Sequence, residues 1–214
     1  MGYKYIFFDL DGTLTDSGEG IVNSVVYALA RFGIEAERGE LYKFVGPPLF
    51  DSFREFCGFS ESDVEKAVAY YREYFADKGI FENKVYDGIE EVLSRLRESG
   101  RRLYVATSKP SEYSVRILDK FGLSKYFEYV SGSSLDEKDS SKAAIIERAV
   151  RHSGAALSDI LMVGDRKFDI EGAKTNRIAA AGVLYGYGSR RELEEAGADY
   201  IAENARDLLR IAEG

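Results

Sequence analysis

Hydrophobic positions along the chain follow two patterns, short continuous apolar runs and helical spacing. The two patterns alternate after residue 84. Four apolar or aromatic residues at 5–8 run straight into Asp9, and so short a run favours a strand buried on both faces. Further strands are predicted at 103–106, 129–130, 160–163 and 179–183, with a short edge strand at 200–201. Helical spacing predicts helices after an N-cap at Asp87 to residue 97, and at 112–121, 143–152, 170–175 and 206–212. This alternation indicates an α/β protein, with a parallel sheet and helices on both faces.

The segment between the first strand and residue 84 has helical spacing throughout. Ile21, Val25 and Leu29 recur every four residues in a first helix, and helices are also predicted at 49–56 and 61–78. The turn 46–48, Gly-Pro-Pro, precedes the second of these helices. An insert at this point of the chain must lie above the carboxyl end of the first strand. We therefore expect an α/β core at 1–15 and 84–214, and a helical lid at 16–83.

Composition limits the classes of protein that fit this pattern. Hydrophobic residues make up 45% of the 214 residues and charged residues 31%, as in an ordinary globular protein with a core. The formal net charge of −8 argues against general binding to a nucleic acid polymer. No apolar run is long enough to span a bilayer, and the first residues do not form a signal peptide pattern. We expect a cytoplasmic monomer or homodimer without a membrane partner.

Cysteine and histidine are almost absent, which removes several kinds of chemistry. The single cysteine, Cys57, cannot form an internal disulfide, and the residue six positions later is Asp63 rather than the arginine of a cysteine-dependent phosphatase. The single histidine, His152, lies in a helical pattern far from any other candidate ligand. Histidine-based hydrolysis and a histidine-rich zinc site are therefore poorly supported.

Two aspartates follow the first strand directly. Residues i and i+2 of an extended segment point the same way, so Asp9 and Asp11 would project together beyond the strand's carboxyl end, where α/β proteins bind ligands. Two close carboxylates repel each other unless a cation or a proton lies between them. Gly12 permits a tight turn beside them. The pattern indicates a metal site, and the alternative is that both aspartates only stabilise a turn.

Polar side chains also follow two other strands. Thr107 and Ser108 come after the strand at 103–106, and Asp165 and Asp169 come after the strand at 160–163. Lys142 begins a helix between them. Because the carboxyl ends of parallel strands meet at one rim of the sheet, these side chains can converge with Asp9 and Asp11. Each has a simpler alternative: a helix N-cap for Thr107, a solvated position for Lys142, and turn or cap positions for the aspartates.

The four motifs in this order resemble the haloacid dehalogenase superfamily over nearly the whole chain. They are DxDGT at 9–13, Thr107, Lys142 and GDxxxD at 164–169. The resemblance implies a three-layer, Rossmann-like α/β core with an inserted α-helical cap domain. The superfamily's dehalogenases lack an acid at the position of Asp11, whereas its phosphatases and phosphomutases have one. The turn at 46–48 resembles the cap segment of phosphoglycolate-phosphatase-like and 5′-nucleotidase-like members.

The resemblance implies a role for each acidic residue. Asp9 would attack phosphorus to form an aspartyl-phosphate, and Asp11 would serve as general acid and then general base. Mg²⁺ would offset the repulsion between a phosphate dianion and the attacking carboxylate. Its protein ligands would be Asp9, the carbonyl of Asp11, and Asp165, and Asp169 would hold a metal-bound water or Lys142.

The same resemblance implies a phosphate-binding set. Thr107, Ser108 and Lys142 would contact the phosphoryl group, with Lys142 also opposite the nucleophile. Many members have a proline after the motif lysine, whereas here Ala143 follows Lys142. Lys138 is therefore a rival for the same role.

The expected function is Mg²⁺-dependent hydrolysis of a small phosphorylated metabolite, in the manner of phosphoglycolate phosphatases. A 5′-nucleotidase is the first alternative, and Tyr42, Phe44 and Phe50 are candidates to contact a nucleoside, although core packing explains each of them better. A phosphomutase resembling β-phosphoglucomutase would need a second phosphate site, for which Lys43 or Arg54 could serve. A non-catalytic phospho-acceptor switch or phosphate-binding protein is the alternative outside enzymes.

Overall fold

The computed structural model describes residues 2–135 and 141–214, so the rival lysine Lys138 lies outside the described residues. Its strands are β1 (Tyr5–Phe8), β2 (Thr15–Asp16), β3 (Lys84–Val85), β4 (Arg102–Pro110), β5 (Phe127–Ser133), β6 (Ile160–Gly164), β7 (Ala179–Val183) and β8 (Tyr200–Ala202). Six of them form one parallel sheet in the order β5-β4-β1-β6-β7-β8. The predicted α/β class with a parallel sheet is confirmed.

Helices fill the segments between the strands. They are α1 (Gly18–Ala30), α2 (Leu49–Cys57), α3 (Glu61–Phe75), α4 (Ile89–Glu98), α5 (Ser111–Lys120), α6 (Lys142–Ser153), α7 (Lys167–Thr175), α8 (Arg190–Glu195) and α9 (Asp207–Glu213). Shorter 3₁₀ helices cover Arg38–Phe44, Gly79–Phe81, Ser124–Tyr126 and Leu157–Asp159.

Several predicted helix ends differ from the structure, and two of them have a clear physical reason. The residue before α4 is Gly88 rather than Asp87, and its φ of +82° is a left-handed conformation that glycine adopts without strain. Helix α3 ends at Phe75 instead of residue 78, because the chain there turns into a 3₁₀ helix against α1. Element ends are less constrained by periodicity than element centres.

Strand β1 lies at the centre of the sheet and fixes the register of its neighbours. Phe8 is paired with Val105 on β4 and with Val163 on β6. The three strands therefore reach their carboxyl ends side by side, and the next residues of each strand emerge at one rim.

The two faces of the sheet are separate layers of the core. On one face Ile6 and Phe8 of β1 belong to a cluster that includes residues of α4, α5 and α9. On the other face Phe7 packs with residues of α6 and α7. Side chains that alternate between two covered faces explain why β1 is apolar at every position from Ile6 to Phe8.

Helices α1, α2 and α3 pack on one another above the carboxyl end of β1, and we call them the cap helices. The chain enters them through β2 and leaves through β3, which form an antiparallel ribbon with Thr15 opposite Val85 and Asp16 opposite Lys84. This ribbon was not predicted, because strands of two residues leave no periodic pattern. Contacts with α5 hold the end of α3: Phe75 packs against Tyr113, and Arg116 donates to the carbonyl of Ala76.

Across the described ranges, 2–135 and 141–214, each helix is too short or too polar to cross a bilayer.

Candidate active site

The strand register brings acidic and hydroxyl side chains to the rim of the sheet. Asp9 follows Phe8 by one residue, and its backbone N–H donates to the carbonyl of Val163 at 2.9 Å. Thr107 and Asp165 each lie two residues beyond the partners of Phe8, on β4 and after β6. All three of these polar side chains are almost fully buried.

Asp165 is fully buried and is fixed by donors from two loops. The hydroxyl of Thr13 donates to Oδ1 at 3.3 Å, and the backbone N–H of Tyr187 donates to Oδ2 at 2.8 Å. Glycine is required on both loops, since a Cβ at Gly12 would come within 2.2 Å of the Asp165 carboxylate, and one at Gly186 within 2.4 Å of its Cβ. Gly12 also has a φ of +81°.

Lys142, at the first turn of α6, lies between two carboxylates. Its Nζ is 2.8 Å from Asp9 Oδ1 and 2.7 Å from Asp169 Oδ1, and it donates to the carbonyl of Ala106 at 3.1 Å. Asp169 itself accepts from the backbone N–H of Arg166 at 3.0 Å. Lys142 is buried and paired, so the alternative that it is a solvated lysine is wrong.

Three carboxylates of the site could share one cation. Asp9, Asp165 and Asp169 each offer an oxygen, and these oxygens all lie within 4.8 Å of one another. Carboxylate oxygens are the donors that Mg²⁺ prefers. Asp9 Oδ1 and Asp169 Oδ1 touch the Lys142 ammonium but receive no well-directed hydrogen bond from the residues that the structure describes. The donor set therefore fits a divalent cation, with Asp169 within the group.

The pKa shifts follow from crowded buried charge. Burial, with the charges of Asp169 and Asp9, raises the pKa of Asp165 well above its ordinary value. Burial also raises the pKa of Asp169 to about 6, although the charge of Lys142 opposes this rise. Burial alone lowers the pKa of Lys142, but the charges of Asp169 and Asp9 raise it overall. A bound cation would favour the ionised form of every one of these carboxylates.

Asp11 has a different partner from Asp9. Its Oδ2 lies 2.9 Å from Nζ of Lys109, and both side chains are nearly buried. The Lys109 ammonium also lies 4.4 Å from the ring centroid of Phe75, on cap helix α3. The sequence analysis missed Lys109, although it lies two residues after Thr107 on β4, a spacing that places both side chains on the same side of a strand.

Thr107 and Ser108 lie at the end of β4, which is longer than predicted. The hydroxyl of Thr107 accepts from the backbone N–H of Lys109 at 3.3 Å. Pro110 occupies the N-cap of α5, so neither hydroxyl residue caps that helix, and the N-cap alternative is wrong. Ser108 lines the cavity beside Asp11.

A cavity of about 60 Å³ separates the cap helices from the rim of the sheet. Its wall is mainly apolar and aromatic, with Asp11, Lys109 and Arg72 as its charged members. Phe44 lines it and is also buried against Phe53 and Phe56, as core packing predicts.

The structure does not bring the predicted basic cap residues to this cavity. Lys43 lies on the exposed side of a 3₁₀ helix, over the ring of Phe56, and Arg54 is exposed on α2, where it pairs with Asp51. Arg72, on α3, is the basic cap residue among those that line the cavity. Lys43 and Arg54 were chosen for their charge, because the sequence does not show which side chains of the cap line the cavity.

The loop after β7 also belongs to the site, which the sequence analysis did not predict. Tyr187 holds Asp165 through its backbone, and its hydroxyl accepts from the N–H of Gly18 at 2.7 Å and contacts Asp16. Arg166 donates to the carbonyl of Val45 at 2.7 Å and pairs with Glu192. Through Gly18 and Val45, both residues connect the rim to the part of the chain that carries the cap helices.

Comparison with known proteins finds relatives that cover nearly the whole chain. Residues 6–183 match the family model described as haloacid dehalogenase-like hydrolase. A Pseudomonas aeruginosa protein named 5′-nucleotidase is 45% identical over 90% of this chain and 88% of its own length. Phosphoglycolate phosphatase 1 of the same organism is 30% identical over 98% of this chain and 80% of its own. A crystal structure described as a predicted phosphatase from Clostridium acetobutylicum has a TM-score of 0.95 and 49% identity, with 98% of each chain covered.

Proposed function

The chain belongs to the haloacid dehalogenase-like hydrolases, and on that basis we propose that it is a Mg²⁺-dependent phosphatase of small phosphomonoesters. The observation that carries this proposal is the convergence of Asp9, Asp165 and Asp169 within 4.8 Å, with Lys142 in contact with two of them. When bound, Mg²⁺ supplies positive charge that lowers the repulsion between a carboxylate and a phosphate dianion. Asp9, Asp165 and the carbonyl of Asp11 would hold it, with Asp169 beside them.

Asp9 is the proposed nucleophile. Its carboxylate oxygen forms a bond to phosphorus while the bond from phosphorus to the ester oxygen breaks, which leaves an aspartyl-phosphate. Lys142 stays within 2.8 Å of Asp9 and offsets the negative charge that gathers there. The hydroxyls of Thr107 and Ser108 are the proposed donors to the other phosphoryl oxygens.

Asp11 is the proposed general acid and base. Its proton passes to the departing ester oxygen, so the leaving group is released as an alcohol. The ionised Asp11 then takes a proton from the water that attacks the aspartyl-phosphate, which yields inorganic phosphate and returns Asp9 to its free form. Asp11 lines the cavity, so the leaving group and the water would both reach it from that side.

Phosphoglycolate is the first candidate substrate. The cavity is small, about 60 Å³, and Arg72 on its wall suits a leaving group that carries a carboxylate. A 5′-nucleotidase activity is the second candidate, because a relative of that name is 45% identical. The aromatic wall, which includes Phe44 and Tyr113, would suit a nucleoside if the cap helices moved outward.

A phosphomutase and a phospho-acceptor switch are both less well supported than a phosphatase. A phosphomutase needs a second phosphate site, and Lys43 and Arg54, the residues predicted for it, lie outside the cavity wall. A phospho-acceptor switch needs no acid at Asp11 and no helical cap, and membership of a hydrolase family favours the enzyme.

Phosphate release from p-nitrophenyl phosphate tests the proposal. We expect turnover with Mg²⁺, no turnover in EDTA, and a loss of at least about 10³-fold in Asp9→Asn, because that change removes the nucleophile. Kinetic constants for phosphoglycolate and for nucleoside 5′-monophosphates, compared as kcat/KM, then rank the two candidate substrates.

The matched control is Asp77→Asn, which makes the same change at an exposed position after α3. Asp77→Asn should keep the wild-type rate and melting temperature. Undiminished turnover in Asp9→Asn would remove the proposed mechanism.

A further inference from the structure

Lys109 is the nearly buried basic residue beside the proposed acid–base group. Its Nζ lies 2.9 Å from Asp11 Oδ2, and the two side chains are only 6% and 10% exposed. We propose that Lys109 is a positioning residue that holds the Asp11 carboxylate in one orientation for proton transfer at the leaving group. The inference rests on the proposed phosphatase function.

The two lysines of the site divide the carboxylates between them. Lys142 contacts Asp9 and Asp169, on the side of the nucleophile. Lys109 contacts Asp11, on the side of the cavity. The other oxygen of Asp11, Oδ1, is buried and accepts no hydrogen bond from the described part of the chain. Lys109 therefore holds Asp11 through Oδ2, and Oδ1 is the carboxylate oxygen without a partner among the described residues.

The position of Lys109 depends on the cap helices as well as on the core. Lys109 comes from β4 in the core, and its ammonium lies 4.4 Å from the centroid of Phe75 on α3. A cation over an aromatic face gains electrostatic attraction, and the gain is larger where water is excluded. Asp11 is therefore held most firmly when Phe75 covers Lys109, that is, with the cap helices over the rim.

Positioning of Asp11 matters most for poor leaving groups. In the first step the bond from phosphorus to the ester oxygen breaks, and a proton from Asp11 neutralises that oxygen as it departs. Phenyl phosphate needs this proton, whereas in p-nitrophenyl phosphate the nitro group already stabilises the departing phenolate. Both esters carry the same phosphoryl group and differ only in the nitro substituent, so the change of their ratio in a variant reports on the leaving group rather than on binding of the phosphoryl group.

The test measures kcat/KM of Lys109→Met with both esters, by phosphate release at saturating Mg²⁺. We expect a loss of about tenfold or more for phenyl phosphate and less than about threefold for p-nitrophenyl phosphate, at the lower end of acid–base effects. Lys109→Arg, which keeps the charge, should recover most of the phenyl phosphate rate. Phe75→Leu should give a smaller loss of kcat/KM, which should again be larger for phenyl phosphate than for p-nitrophenyl phosphate.

The control is Lys120→Met, since Lys120 lies on α5 with its ammonium 5.5 Å from the ring of Phe81, without a carboxylate partner among its described contacts. It should leave both rates unchanged. Equal losses for the two esters in Lys109→Met would overturn the inference, since they would mean that Lys109 binds the phosphoryl group or only supports the fold. Melting temperatures separate that second case. Wild-type protein that hydrolyses neither ester would instead overturn the proposed function.

Discussion

The rim of the sheet and the wall of the cavity face each other, yet they are built differently. At the rim, Asp9, Asp165, Asp169 and Lys142 are buried and bound to one another or to backbone groups. Across the cavity, the cap helices contribute mainly apolar and aromatic side chains, with Arg72 as their charged member on the wall. The rim is fixed by charge pairs and strand register, whereas the cavity wall is fixed by packing.

This difference separates the chemistry from the selectivity. Changes at the rim disturb buried charges that have no substitute partner, and their effects on rate should be large and independent of substrate. Changes in the cavity wall alter contacts with the leaving group, and their effects should be smaller and depend on the substrate.

The largest effect should come from the rim lysine. Lys142→Met leaves Asp9 and Asp169 buried without their shared counter-charge, and we expect kcat to fall about 10²–10³-fold with every substrate. Steady-state kinetics with p-nitrophenyl phosphate and phosphoglycolate measure this. Lys174→Met is the control, because Lys174 pairs with Asp199 at the surface, and it should keep full activity. A loss confined to one substrate would break the distinction.

Without a bound metal, the folded protein should be less stable with a charged Asp165 than with a neutral side chain at that position. The raised pKa of Asp165 means that its ionised form costs stability at neutral pH, so Asp165→Asn should raise the melting temperature in EDTA by about 3 °C. This gain in melting temperature should shrink as the pH falls toward the pKa of an unperturbed carboxyl group. Asp165 of the wild type is then protonated in both the folded and the unfolded state. An asparagine can still accept from the N–H of Tyr187 and donate to Thr13.

Calorimetry with and without Mg²⁺ completes this test. Mg²⁺ should raise the melting temperature of the wild type and raise that of Asp165→Asn much less. Asp159→Asn, at a surface pair with Lys4, serves as the control and should leave the metal response intact. A lower melting temperature for Asp165→Asn in EDTA would show that its hydrogen bonds outweigh the charge repulsion.

On the cavity wall, Arg72→Met should raise KM for phosphoglycolate about tenfold, or about 1.4 kcal/mol, with kcat within about twofold. The physical reason is loss of a charge that attracts the carboxylate of the leaving group. KM for p-nitrophenyl phosphate should change little. Arg54→Met, at the exposed position predicted from the sequence, is the matched control and should have no effect on either KM.

The smallest effect should arise where the two regions meet. Tyr187→Phe keeps the backbone bond to Asp165 and removes the hydroxyl contacts with Gly18 and Asp16, so kcat/KM should fall only about 2–5-fold. Tyr200→Phe removes a hydroxyl contact with Tyr3 and should be silent. A loss as large as that of Lys142→Met would mean that the Tyr187 hydroxyl takes a direct part in the reaction.

Much of the rim could be predicted from the sequence, because its residues follow strands. Asp9, Thr107 and Asp165 come at fixed offsets from apolar runs, and parallel strands bring such offsets together. The sheet and its neighbouring helices were predictable for the same reason.

The cavity wall could not be predicted in this way, because it depends on how the helices face one another. The sequence analysis named Lys43 and Arg54, whereas Arg72 is the basic cap residue that lines the cavity. Lys109 and Tyr187 were missed because their partners, Asp11 and Asp165, lie far away along the chain. Neither contact leaves a local pattern, and the one sequence signal for Lys109 is its two-residue spacing from Thr107.

The ribbon of β2 and β3 has a consequence for how such chains can diversify. Because Thr15 and Val85 are direct neighbours, the whole stretch from 17 to 83 departs from and returns to a single spot on the core. A replacement stretch whose two ends meet there can join the core without a change in the path of β1, β4 and β6. We therefore expect that grafting the corresponding stretch of a relative between these two residue pairs would exchange most of the cavity wall and leave the carboxylates of the rim in place.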